Sequence, residues 1–390
     1  MINNSPKFYE NPNYEKGRLL KSSILDKSIE LYDEKKYKEA FSSLLNFVDS
    51  DMCKKFEAGQ THWEMPHGSC VVRFDIKEDG LRIGASVSKL SDTSYLIPLK
   101  RKLCEINFSN LDLANVAVIN GEIIFYYDFL WGESHPRKVY DVLWDICHFT
   151  DRFDDEFVEK FKTEYSSKPQ VNQLPSTEKE KLYDRIQEDI RSTKKYFEKF
   201  QSDRNETLMF YSVIVSIMKI EYFASLQSFY KTEFEDIISY AESDTSDSLT
   251  QITSNCMHFL NDLENPDNKT KVLECMYEVK LLVPERAYSP LSVVRDTWER
   301  SYANITRAFD GNDLVYVTFS ALQAFYKLIS YYNVPQDIYN SIVTTLRKVS
   351  EKPYEESAAM LKDTMTSILN NNIKSASKSR KGFFKRLFNI

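Results

Sequence analysis

The stretch LANVAVINGEIIFYYDFL, residues 113–130, constrains the fold more than any other part of the chain. An Asn-Gly pair between two alternating apolar runs is a strong short-range hairpin signal, because a type I′ turn needs positive φ at both central positions. A turn at Asn120-Gly121 sets Ile119 opposite Glu122, Val118 opposite Ile123, Val116 opposite Phe125 and Ala114 opposite Tyr127. One face then carries Ala114, Val116, Val118, Ile123, Phe125, Tyr127 and Phe129. It is wholly apolar, with small side chains facing large ones, as a packed core prefers. The other face mixes Asn115, Ala117, Ile119, Glu122, Ile124, Tyr126, Asp128 and Leu130. Helices are expected on the dry face. The mixed face needs cover from the protein's own helices or from a partner, which makes Ile119, Ile124, Tyr126 and Leu130 the candidate partner-binding residues.

The neighbouring segments extend this pattern. Residues 69–88 alternate around a KEDG turn at 77–80, with Cys70, Val72, Phe74 and Ile76 and then Leu81, Ile83, Ala85 and Val87 on one face,. Between the hairpins, Leu99, Leu103 and Ile106 recur at helical spacing behind Pro98,. After them a long helix is expected from Pro136 to about Tyr165, its stripe set by Val139, Leu143, Ile146, Phe153, Phe157 and Phe161,. The segment SSKPQVNQLPS, 166–176, has two prolines and no apolar period and reads as a linker,. Thr177 and Glu180 suit a capping box that opens a new helix. From there to about residue 372 the spacing is helical throughout, broken at prolines and Asx-rich turns. The apolar run at 209–226 is interrupted by Lys219 and Glu221 and reads as a buried bundle helix, not as a membrane span,.

The expected fold class is therefore α+β, an antiparallel sheet of two or more hairpins packed on helices, followed by a separate all-α bundle. Its expected divisions are an N-terminal helical segment (1–50, its first 16 residues polar and loosely ordered), the α+β domain (51–165), the linker (166–176), the bundle (177–375) and a basic amphipathic tail (376–390).

The chemistry to be hosted is limited by what the chain lacks. With 9 glycines in 390 residues it is poor material for glycine-rich phosphate loops, and none of the common nucleotide, hydrolase, metalloprotease or EF-hand motifs occurs,. The net charge of −7 argues against nucleic acid as a partner,. The six cysteines form no CxxC pair and read as isolated thiols of a reducing compartment,. The start of the chain has no charged-then-apolar leader pattern. His62, His67 and Cys70 in HWEMPHGSC form a weak zinc pattern without a fourth ligand; a surface loop entering the first strand explains them better,. Cys147, His148 and Asp151 could be drawn as a nucleophile, base and orienter, yet adjacent helix positions point about 100° apart. The acids Asp151, Asp154, Asp155, Glu156 and Glu159 are read as a solvated helix face. No catalytic residue, metal site or cofactor is expected, and the chain is not expected to be an enzyme.

Three stretches carry a resemblance: IPLKRKLCEINFS at 97–109, LANVAVINGEIIFYYDF at 113–129 and VYDVLWDICHFTDRFDDEF at 139–157. In order and apolar pattern, residues 50–165 resemble the YbjN-like and type III secretion chaperone-like α+β domains. The resemblance implies helices against a twisted antiparallel sheet, no shared catalytic residues, and the binding of protein segments, often as a homodimer. The expected function is thus a non-enzymatic, cytoplasmic protein-binding module, chaperone-like or adaptor in kind. The alternative is a membrane-peripheral scaffold on the inner face of the membrane. It rests on the tail, where Arg380, Lys381, Lys385 and Arg386 accompany Phe383, Phe384, Leu387 and Phe388. Such a short segment would dock on anionic lipid weakly and reversibly, or else on a protein groove.

Overall fold

The computed structural model describes residues 3–11, 22–166, 171–243, 245–284, 286 and 289–371. The chain folds into two compact units. The first is built on an antiparallel sheet and holds the described residues of 22–174 together with 277–284. The second is helical and holds residues 3–11 with the described residues of 175–276 and 286–371.

The sheet unit begins with three helices, α1 (Ser22–Asp33), α2 (Tyr37–Val48) and α3 (Ser50–Glu57). The strands are β1 (His62–His67), β2 (Cys70–Ile76), β3 (Gly80–Lys89), β4 (Asn115–Ile119) and β5 (Glu122–Leu130), with α4 (Leu96–Ser109) before β4 and α5 (Pro136–Phe161) after β5. Their spatial order is β1-β2-β3-β5-β4, every pair antiparallel, and a short β6 (Glu164–Tyr165) adds to β3 beside β2. The β4–β5 register matches Ile119 with Glu122, Val118 with Ile123 and Val116 with Phe125. Asn120 and Gly121 both have positive φ, at 52° and 81°, as a type I′ turn demands,.

The dry side of the sheet is backed by α5. Val72, Phe74, Leu81, Ile83, Ala85, Ile123 and Phe125 are completely buried. On α5, Phe149, Phe153 and Phe157 follow one another at four-residue spacing with rings 6.1 and 5.8 Å apart, and Phe153 stacks on Phe125 at 6.4 Å. The helix stops at Phe161 rather than near Tyr165, because Lys162 turns left-handed (φ 58°) and frees the next residues to pair as β6,.

Two further sequence expectations are revised in this unit. HWEMPH is not a loop but the edge strand β1, joined to β2 by the two-residue turn Gly68-Ser69. Trp63, Met65 and His67 point inward, and Pro66 is tolerated because an edge strand can spare that N–H,. Val118, assigned to the dry face, is 37% exposed, because it lies near the end of the outermost strand.

The helical unit contains α6 (Ser176–Ser202), α7 (Glu206–Ala224), α8 (Phe229–Glu242), α9 (Leu249–Glu264), α10 (Lys269–Glu274), α11 (Leu291–Asp310), α12 (Leu314–Tyr331), α13 (Gln336–Val349) and α14 (Tyr354–Leu369). Thr177 does not act as the cap of α6; Pro175 precedes the helix and no side chain caps it. Side chains do cap α7, α9 and α12, where Asn205, Ser248 and Asp313 accept from Leu208, Gln251 and Tyr316 N–H,. Helix α7 is apolar nearly all round and packs against α6, α8, α9 and α12, as an interior helix should,. It is long and apolar enough to cross a membrane by composition, and 72% of that window is buried inside the protein. Its Lys219 is buried in an ion pair with Asp189 of α6, and its Glu221 accepts from the Tyr331 hydroxyl at 2.7 Å.

Residues 3–11 are not a loose start. They are ordered against the helical unit, where Asn4 bridges to Pro353. The helical half is also interrupted after α10: β8 (Tyr277–Glu278) pairs with β7 (Asn172–Gln173), and Leu282 and Val283 join the core of the sheet unit.

Candidate functional site

The mixed face of the sheet is built from cross-strand ion pairs. On it, His62 bonds Asp75 at 2.6 Å, Arg73 bonds Glu64 at 2.8 Å, and Asp128 accepts from both Lys77 (2.8 Å) and Arg82. Lys89 reaches Glu122 at 3.2 Å, and the Ser86 hydroxyl and Lys89 together hold the Glu122 carboxyl below its usual range. The four candidate partner residues sit among these pairs. Ile119, Ile124 and Tyr126 are half-buried, Tyr126 beneath the Arg82 guanidinium at 5.0 Å. Leu130 is 51% exposed at the end of β5. The register thus brings Ile124 and Tyr126 together at the middle of the face and places Ile119 and Leu130 towards opposite ends of the β4–β5 hairpin.

A more apolar surface lies at the β4 edge. Helix α4 buries only Leu99, Leu103 and Ile106. At 100° per residue, Ile97, Cys104 and Phe108 fall within about 40° of one another on the opposite side. All three are exposed, Phe108 by 92% and Ile97 by 69%. The helix therefore has two opposed apolar stripes, one packed and one bare. Lys100 and Arg101 flank the bare stripe, and neither pairs with an acid among the described residues.

Asn107 ties this helix to the strand. Its side-chain amide donates to Val116 C=O at 2.8 Å and accepts from Val116 N–H at 2.9 Å. In a two-residue hairpin alternate residues pair inward, so Val116 and Val118 present their backbone groups to the outside. Asn107 satisfies the first of these, and Asp145 accepts from Leu113 and Ala114 N–H at 3.2 and 3.4 Å at the strand's entry. Of the outward groups on β4, those of Val118 have no hydrogen-bond partner among the described residues.

The acid-rich part of α5 serves the β1–β2 turn. Asp151 accepts from Ser69 N–H at 2.8 Å, and the Ser69 hydroxyl donates to Asp154. Burial, with the charges of Asp155 and Asp151, pushes the Asp154 carboxyl well above the usual range, and burial raises the Cys70 and Cys147 thiols likewise. Cys147 is fully buried, while His148 stacks on Trp144 at 4.7 Å, so these neighbours point apart. His67 is buried, its Nδ1 accepting from Leu282 N–H at 3.0 Å, whereas His62 lies on the opposite face of β1. No group of three or more metal-ligating side chains comes together among the described residues. A depression of about 340 Å³ over the first turns of α6 gathers Glu178, Lys181 and Arg185, a solvated mixture of charges. The tail residues Arg380, Lys381, Phe383, Phe384, Lys385, Arg386, Leu387 and Phe388 lie outside the described residues.

Neither a protein-family model, nor a curated protein, nor a solved structure matches the chain.

Proposed function

We propose that the sheet unit is a non-enzymatic protein-binding module, chaperone-like or adaptor in kind, and that it binds through the bare stripe of α4 beside the β4 edge. The observation that carries this reading is the exposure of Ile97 and Phe108, with Cys104 between them, on a helix whose other stripe is already packed. Removing a side chain of that size from water is worth about 1.5–3 kcal/mol. Lys100 and Arg101 beside it favour a partner segment that is apolar and flanked by acids.

The mixed sheet face, with Ile119, Ile124, Tyr126 and Leu130, is the less favoured surface for the same function. A partner seated there would have to desolvate several ion pairs, and that penalty offsets much of what burying Ile124 and Tyr126 would gain. The resemblance to secretion-chaperone-like domains agrees with a binding role and is part of the proposal.

The test is affinity capture from cells with the intact protein and with the Ile97→Asp/Phe108→Asp variant, quantified by mass spectrometry and followed by reconstitution of the purified pair. A protein that binds the intact chain directly and is lost with the variant supports the reading. Equal recovery with both, from a variant of unchanged melting temperature, refutes the α4 surface.

A further inference from the structure

Residues 3–11 have no helix or strand of their own, yet they are held along their length by the helical unit. Four groups of the segment's backbone are bound, in two adjacent pairs. Asn4 C=O accepts from the Tyr196 hydroxyl at 2.8 Å, and Ser5 N–H donates to Lys352 C=O at 2.7 Å. Lys7 C=O accepts from Lys219 Nζ at 3.1 Å, and Phe8 N–H donates to Ser350 Oγ at 3.0 Å. Two side chains act as anchors. Ser5 is 1% exposed and donates to Val349 C=O; Tyr9 is 6% exposed and packs on Phe223 with rings 4.9 Å apart. Surface charges complete the match, Lys7 with Glu188 at 2.9 Å and Glu10 with Arg347 at 2.6 Å.

This is the arrangement of a bound extended peptide. Main-chain hydrogen bonds supply affinity, and spaced side-chain pockets supply specificity. The buried Lys219 fits that role. Asp189 fixes it, Ser216 donates to Asp189 at 2.8 Å, and Lys219 Nζ is left aimed at a carbonyl of the segment. Departure of the segment would leave this ion pair intact rather than orphan a charge.

We infer that the helical unit carries a peptide-binding groove whose occupant is the chain's own N-terminal segment, and that the same segment of a second copy can take its place. The groove reads a serine, an aromatic residue four positions on and an acid next to it, as in Ser5, Tyr9 and Glu10. This inference concerns the helical unit alone and stands apart from the reading of α4.

The experiment uses the full chain carrying a protease site within residues 12–21, cut after purification. A fluorescent synthetic peptide of residues 1–13 is titrated by anisotropy against cut and uncut protein, while circular dichroism follows the fold. The expected result is saturable binding to the cut protein, competed by unlabelled peptide and weakened roughly a hundredfold when the peptide carries Tyr9→Ala. Uncut protein should bind at least about tenfold more weakly, since the tethered segment competes at an effective concentration near millimolar. Equal binding to cut and uncut protein overturns the groove assignment. So does a cut segment that never exchanges, or one whose release unfolds the helices, because either makes it a permanent part of the fold.

Discussion

Asp154 lies under the β1–β2 turn, where it accepts from the Ser69 hydroxyl and is 3% exposed. Its folded-state pKa is raised by burial, so the folded protein holds this proton more tightly than the unfolded chain does,. The stabilisation is complete below about pH 4, the unfolded value, and is lost as pH rises through the folded value. Asp154→Asn keeps an acceptor for Ser69 and removes the titration. Stability measured by urea denaturation between pH 4 and 8 should therefore fall less steeply with pH in the variant; an unchanged slope would show that Asp154 does not titrate as described. The same turn constrains Gly68, whose φ is +56° and whose added Cβ would lie 1.9 Å from Asp151 Oδ1. Gly68→Ala should cost about 1–3 kcal/mol in the same assay. This site was only partly legible in the sequence. Gly-Ser is a hairpin signal, but Pro66 and two histidines obscured the alternation of Trp63, Met65 and His67, and nothing local indicates that Asp151 and Asp154 receive the turn.

Among the elements, α4 and β4 form a pair in which the helix guards the strand. Asn107→Leu removes both bonds to Val116 and leaves an N–H and a C=O without their partner, at a cost of about 1–3 kcal/mol,. It also opens a second residue of the edge to strand addition, so sedimentation velocity should show stronger concentration-dependent self-association in the variant than in the parent chain. A monomeric variant of unchanged stability would contradict the edge-guarding role. The hairpin itself was readable because a two-residue turn fixes every cross-strand pair at once. Its limits were not: alternation assigns Val118 a face but says nothing of how far the cover extends. The bare stripe of α4 was hidden for another reason. Leu99, Leu103 and Ile106 already account for a helix on a core, and Ile97, Cys104 and Phe108 register as a second stripe only when the first is known to be filled.

At the scale of the molecule, one unit is built on the sheet and the other on helices, and neither is a single continuous stretch of sequence. Residues 3–11 belong to the helical unit and 277–284 to the sheet unit, long-range placements that no periodicity can announce. The buried Asp189–Lys219 pair joins α6 and α7 within the helical unit. Lys219→Met should destabilise that unit by about 3–5 kcal/mol in denaturation followed by circular dichroism, because Asp189 loses its charge partner. Adding Asp189→Leu should recover most of the loss, since apolar pairs commonly replace buried ion pairs at little cost. Failure of the second substitution to recover stability would assign the pair a net stabilising role.

If the sheet unit binds a protein through the outward side of α4, position 108 should lie against that partner. Site-specific photo-crosslinking in living cells tests it most directly, with the reactive residue placed at position 108 on α4 or at position 124 on the mixed sheet face. A discrete protein adduct is expected from position 108, abolished by Ile97→Asp, and none from position 124. An adduct from position 124 alone, or no adduct from either position, would contradict it.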